Sequence, residues 1–260
     1  MGGEIIIHML LPHITKTQQR ILLLLYRFRF LDRIQIQTFL HNPDIKNTNT
    51  WLKDLYDKNY IGKIVDSNSK INMTPAIYFI GKNGIKFLRA QDKCEKKYLK
   101  KLYDEKGKSK QFVERSLLVA NTYLNLLQKY SNSKLTFYTQ SDFSLNGLIR
   151  DIMPNFVFRI GKNKQFTICE ILKENMPRFA IRSRVQQYLE FLTEGEWAES
   201  EKSPVLIFAC PNEVMKKYIQ RFIKREIEEM NIERINCHVG TYSSLQNWQF
   251  EKSEFFRRKN

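Results

Sequence analysis

The stretch IRDIMPNFVFRIGKNKQFTICEILKENMP fills residues 149–177 and decides how the second half of the chain is read. NFVFRI and FTICEIL are strand-length apolar segments, and Gly161-Lys162-Asn163-Lys164 joins them as a turn-rich link. The same stretch carries Asp151, then Pro154-Asn155, then Glu170 and Lys173. A metal-dependent nuclease needs two carboxylates on neighbouring strands to hold Mg²⁺, and a lysine two residues past the second to orient the attacking water. The match here is incomplete. Strand side chains alternate, so Leu172 shares the face of Glu170, and Lys173 points away unless the strand has ended or bulged. Asn155 stands where the pattern wants an acid, and Asp151 is its substitute from the preceding turn. Glu174, Gln186 and Gln187 are further groups within reach of that edge. The competing reading makes Asp151 a plain turn residue and Glu170 a strand residue that is either solvated or paired with Arg159, Arg182 or Arg184.

Outward from this stretch the elements follow a regular order. FVERSLLVANTYLNLLQKY is a long helix with Leu117, Leu118, Leu124 and Leu127 on its apolar side, and KLTFYTQ is a strand. Beyond the quoted segment come a helix, RFAIRSRVQQYLEFL, the buried-strand run PVLIFAC, a second helix, NEVMKKYIQRFIKREIEEM, and a last strand, RINCHVGT. The order α-β-β-β-α-β-α-β implies a mixed sheet covered by helices, an α/β arrangement within a chain that is α+β overall.

The N-terminal part reads differently. TQQRILLLLYRF gives a helix, a break falls near Phe30-Leu31-Asp32, and Ile34, Ile36 and Phe39-Leu40 mark a second helix. Trp51, Leu52, Leu55 and Tyr56 mark a third, which ends at Asn59, a residue that tolerates a left-handed cap. Two strand candidates, YIGKIVD and PAIYFIG, flank the polar SNSKINMT, and the helix KNGIKFLRA follows. Three helices, a two-stranded wing and a trailing helix make a winged helix-turn-helix over residues 14–92. In that fold the N-terminal half of the third helix enters the major groove. Lys46, Asn47, Thr48, Asn49, Thr50 and Lys53 are then the DNA-reading residues, with Ser67, Asn68, Ser69 and Lys70 on the wing. Asn-Thr-Asn-Thr equally suits a helix N-cap, and that alternative stands beside the first.

The formal charge is +16, which points to a polyanion partner, whether DNA, RNA or an anionic membrane face, with a solvated basic surface as the alternative. Residues 93–110 hold eight lysines against three acids and read as a basic connector, with residues 249–260 as a basic tail behind a domain at 111–248. Their contacts with phosphate would be sequence-blind and salt-sensitive. Cys94, Cys169, Cys210 and Cys237 lie far apart, as do the four histidines, so no zinc framework is expected, and reduced thiols in a cytoplasmic setting fit. No apolar run approaches a membrane span. There is no GxxxxGK[ST] or GxGxxG loop and no nucleophile motif.

The element order of the second half resembles that of PD-(D/E)xK nuclease-like proteins. Over residues 17–246 the chain resembles the replication-relaxation family of plasmid proteins. The resemblance rests on the winged-helix segment, on FVERSLLVANTYLNLL, and on MPNFVFRI, FTICEIL, RVQQYLEFL and PVLIFACP taken in order. It implies a role in plasmid replication or DNA relaxation, with replication proteins as partners and with a homodimer left open. Three functions follow as expectations. The first is a double-stranded DNA-binding protein of a plasmid or mobile element, with no cofactor. The second is an Mg²⁺-dependent nicking endonuclease using Asp151, Glu170 and Lys173. The third is a winged-helix transcriptional regulator.

Overall fold

A computed structural model describes residues 11–65, 74–91, 94–130, 134–142, 152–161, 165–194, 203–248, 250 and 255–257. Asp151 and the wing residues Ser67, Asn68, Ser69 and Lys70 lie outside these. The chain is mixed α/β and divides into two compact units, Met1–Ala120 and Asn121–Asn260.

In the first unit, helix α1 (Lys16–Phe28) begins at a capping box. The Thr15 hydroxyl accepts from the Gln18 N–H, and the Gln18 carboxamide accepts from the Thr15 N–H. Ile21, Leu22, Leu25 and Phe28 recur at helical spacing and are buried. The break expected near residue 31 is a two-residue strand, β1 (Leu31–Asp32). Asp32 then caps α2 (Arg33–Phe39) through a second reciprocal pair, with Gln35. Helix α3 (Ile45–Asp57) follows after a short turn, and Asn59 turns the chain with φ of 57° into β2 (Ile61–Ile64). β2 and β3 (Ile77–Ile80) pair antiparallel, and β1 pairs with the other edge of β3, giving the order β1-β3-β2.

Helix α4 (Lys82–Arg89) buries Gly84, Ile85, Phe87 and Leu88. Gly84 sits so close to the backbone of Tyr60 that a Cβ would collide with the Tyr60 carbonyl oxygen. The lysine-rich segment is not a loose strap. Helix α5 (Lys96–Lys101) and the 3-10 turn Leu102–Gly107 pack into the first unit through Tyr98, Leu99 and Leu102, leaving Lys96, Lys97, Lys100, Lys101 and Lys106 exposed. Both ends of that packing are polar as well as apolar. Glu105, only 1% exposed, accepts from Arg29 Nε at 2.8 Å and Nη2 at 2.6 Å, while the Arg29 guanidinium stacks on Phe112. Burial pushes the Glu105 carboxyl up, and Arg29 opposes that shift.

Helix α6 (Lys110–Lys129) runs across the division between the units. The second unit is then β4 (Leu135–Thr139), β5 (Phe156–Ile160), β6 (Thr167–Ile171), α7 (Arg178–Glu194), β7 (Val205–Cys210), α8 (Glu213–Glu229), β8 (Arg234–Thr241), α9 (Tyr242–Gln246) and β9 (Phe255–Arg257). The strands form one mixed sheet in the order β4-β5-β6-β7-β8-β9. β7 is parallel to both of its neighbours, β6 and β8, and the other pairings are antiparallel. β9 lies within the segment expected as a basic tail and closes the β8 edge through Asn236↔Phe255 and Ile235↔Phe256.

The two-residue period sorts the sheet into two faces. Val157, Ile168, Leu206, Phe208, Ile235 and Cys237 face α7 and α8, where Val185, Tyr188, Leu189, Ile219, Phe222 and Ile223 complete the core. On the other face Phe137 stacks on Phe156 at 4.9 Å, with Tyr123 over Phe137 at 4.8 Å and Trp248 edge-on to Phe158 at 5.0 Å. Among the described residues no helix is long and apolar enough to cross a membrane.

Gly84→Ala is expected to cost about 1–3 kcal/mol by overpacking. A urea midpoint unchanged from that of the parent protein would refute the close approach to Tyr60.

Candidate functional site

The parity that puts Ile168 against α7 puts Glu170 there too, and that fixes the acid's surroundings. Arg184 and Tyr188 lie one turn apart on α7 and both reach it. Arg184 donates from Nε to Glu170 Oε1 at 3.1 Å and from Nη2 to Oε2 at 3.0 Å, a two-pronged contact. The Tyr188 hydroxyl donates to Oε2 at 2.7 Å. Arg184 Nη2 also donates to the Tyr188 hydroxyl and to the Met153 carbonyl, and Nη1 donates to Gln187. The group is largely buried, with side-chain exposures of 19% for Arg184 and 12% for Glu170, and Tyr188 is fully buried. Burial works against the charge on Arg184, but its hydrogen bonds to Glu170 and the charge of that carboxylate outweigh this and raise the Arg184 pKa. Burial first, and the Glu170 carboxylate second, push the Tyr188 phenol well above its ordinary value. Arg184 is thus a permanent cation and Tyr188 a neutral donor.

The other residues around this strand end are spoken for or remote. Asn155 accepts from the Ile171 N–H at 2.7 Å and donates its own N–H to the Cys169 carbonyl, extending the β5–β6 ladder. Gln186 donates to Glu226 on α8. Leu172 is buried, with its N–H on the Ala209 carbonyl and its own carbonyl receiving the Tyr242 hydroxyl. Lys173 and Glu174 follow the end of β6 and are exposed. Among the described residues no three His, Cys, Asp or Glu side chains converge on a metal-sized site. Both Glu170 oxygens carry strong donors and a guanidinium stands where a cation would, so the described residues do not fit Mg²⁺ there.

The second candidate surface is the outer side of α3. Asp44 caps this helix, its Oδ1 accepting from the N–H groups of Lys46 at 2.7 Å and Asn47 at 3.4 Å. The alternative that Asn-Thr-Asn-Thr supplies the cap is therefore set aside. Asn42 ties the preceding turn by donating to the Asp44 carbonyl and the Thr48 hydroxyl. Thr48 is fully buried, so it holds this turn and does not face solvent. Lys46, Asn47, Asn49, Thr50 and Lys53 are exposed. Lys46, Asn49, Thr50 and Lys53 fall at i, i+3, i+4 and i+7, which makes them one stripe.

α3 is fastened from behind by a polar contact that the apolar periodicity did not signal. The Gln18 amide, 3% exposed, donates to Asp54 at 2.7 Å, and Lys58 donates to the same carboxylate at 2.8 Å. The Lys58 bond, then the Gln18 bond, hold the Asp54 carboxyl below the usual carboxylate range. The Lys63 ammonium on β2 lies 4.3 Å from the Tyr56 ring centre, linking the hairpin to the last turn of α3.

No family model, curated protein or solved structure matches this chain.

Two expectations follow. Glu170→Ala leaves the Arg184 charge without its partner and should cost about 3–5 kcal/mol. Adding Arg184→Met should restore much of that loss, and a single variant as stable as the parent would refute the pairing. Asp54, whose folded pKa is lowered, contributes stability above the ordinary Asp value of about 3.9. That contribution fades as pH falls through the folded value. The stability gap between the parent and Asp54→Asn should therefore be open at neutral pH and close in acid, and a gap constant with pH would refute it.

Proposed function

We propose that this chain is a double-stranded DNA-binding protein of a plasmid or mobile element, acting in replication initiation or DNA processing. The first unit works as a winged helix-turn-helix. In its support, α1, β1, α2, α3, β2 and β3 follow one another as helix, strand, two helices and hairpin, with the sheet order β1-β3-β2. α3 is then the recognition helix, and the observation that carries the reading is its outward stripe of Lys46, Asn49, Thr50 and Lys53 on a chain of charge +16. An outward face of an amide, a hydroxyl and two ammonium groups matches base edges and phosphates. The exposed lysines of α5 add phosphate contacts to the same unit.

The second unit is a nuclease-like scaffold that recruits partners or holds DNA and does not cut. What supports this is the pairing of Glu170 with Arg184 and Tyr188, which leaves its carboxylate no open position for a cation. The resemblance to replication-relaxation proteins agrees with a plasmid setting, and a cytoplasmic location follows from that setting.

The test is equilibrium binding of labelled duplex DNA across a salt series. Lys46→Ala should weaken binding to every sequence and lower the slope of log affinity against log salt by about one. Unchanged affinity and slope in both Lys46→Ala and Lys53→Ala would remove α3 from the interface. On supercoiled plasmid with Mg²⁺ or Mn²⁺, the parent protein should bind without nicking. Nicking that disappears in a folded Glu170→Gln variant would make it an enzyme.

A further inference from the structure

We infer that α3 reads an A·T-centred DNA site, through Asn49 and Thr50; this rests on the DNA-binding reading above and names the sequence class it selects. The groups that α3 can present to a major groove are few. Guanine offers two acceptors and is read best by a forked donor, cytosine offers one donor and is read by a carboxylate, and the A·T pair offers an acceptor, a donor and a methyl group. α3, with the sequence IKNTNTWLKDLYD, contains no arginine. Its acids are all engaged: Asp54 by Gln18 and Lys58, and Asp57 by Lys53 at 2.7 Å, while Asp44 before it caps the first turn. None is left to accept from cytosine.

The lysines are limited in the same way. Lys53 pairs with Asp57 across one exposed turn at 2.7 Å, which directs its ammonium along the helix. Lys46, on the first turn, is a flexible point charge suited to phosphate. What remains at the centre of the stripe is an amide and a hydroxyl. The Asn49 side chain makes no hydrogen bond among the described residues, and its carboxamide pairs one donor and one acceptor with adenine N7 and N6. Against guanine, its oxygen would face another acceptor. Thr50 donates its only hydroxyl proton to the Lys46 carbonyl at 3.0 Å. It retains an acceptor lone pair and a methyl group, which match the adenine amino group and the thymine methyl. Neighbouring positions on one stripe thus both favour A·T.

The experiment is selection of bound duplexes from a randomised pool by the full-length chain, followed by binding to selected duplexes with single A·T to G·C exchanges. A·T-centred sequences should be enriched. One central exchange should cost about 5- to 150-fold in affinity for the parent, the range expected of a single good base contact. Asn49→Ala should bind both duplexes with nearly equal affinity, and Asn49→Arg should enrich a G·C pair at the position lost. Thermal unfolding of both variants, at an exposed position, checks that they are folded. Retention of duplexes with no A·T enrichment, or the same enriched sequences for Asn49→Arg as for the parent, overturns the inference and leaves DNA binding standing. Retention of no duplex at low salt overturns the DNA-binding reading itself.

Discussion

The second unit is built around a strand that has no polar side to show. β7, Val205–Cys210, is apolar at every position, and from Leu206 onward its residues are 0–1% exposed. A strand buried on both faces must be central and must be covered twice. Leu206, Phe208 and Cys210 require α7 and α8, and Ile207 and Ala209 face the aromatic side. Once α7 is laid over β6 and β7 to satisfy that demand, its inward face carries Tyr188 and Arg184 onto the strand next door. The position of Glu170 against a guanidinium is therefore a consequence of covering β7. A carboxylate held at 12% exposure needs compensation, and Arg184 and Tyr188 supply it with three direct bonds.

The first unit solves the opposite problem, which is to keep a helix face free of internal partners while fixing the helix firmly. Apolar contacts through Leu52 and Leu55 set its depth. Polar groups then set its rotation: Asp44 at the N-terminus, Thr48 and Asn42 at the turn, and Asp54 with Gln18 and Lys58 on the flank. Every one of these is used up by a neighbour within the unit. The outward stripe is what is left over, and its bonds stay within the helix: Lys53 to Asp57 and Thr50 to the Lys46 carbonyl.

Much of the fold was legible because periodicity carries it. The apolar runs of PVLIFAC and FTICEIL, and the helical spacing in α1, α3 and α8, gave strands and helices close to where they lie. Elements whose information is not local were not legible. β1 has two residues and exists because Leu31 and Asp32 pair with Tyr78 and Ile77, far along the chain. β9 is likewise an edge pairing, hidden in a segment that reads as basic tail. Residues 93–110 read as a basic connector because their lysines dominate the composition, and the apolar positions Tyr98, Leu99 and Leu102, at helical spacing within it, decide their packing. At the site, parity separated Glu170 from Lys173, but three arginines were available to Glu170. Only the helix path selects Arg184, since its i, i+4 relation to Tyr188 aims both at one acid. Thr48 was placed among the DNA-reading residues by sequence adjacency; helical rotation buries it.

Glu170 and Asp54 illustrate one rule from two sides. In each unit an acid at a packing contact is neutralised from within the chain, by Arg184 in one and by Lys58 with Gln18 in the other. Glu105 with Arg29 is a third case. A guanidinium does for Glu170 what a divalent ion would do in a cutting enzyme: it cancels the charge and joins strand to helix. It differs in being permanent, covalently tethered and unable to lower the pKa of a bound water. Beside these internal pairs, the lysines of α5 and of α3 stay exposed. The tethered cation thus occupies both oxygens of Glu170, and the exposed lysines are the groups on which the proposed attachment to DNA rests.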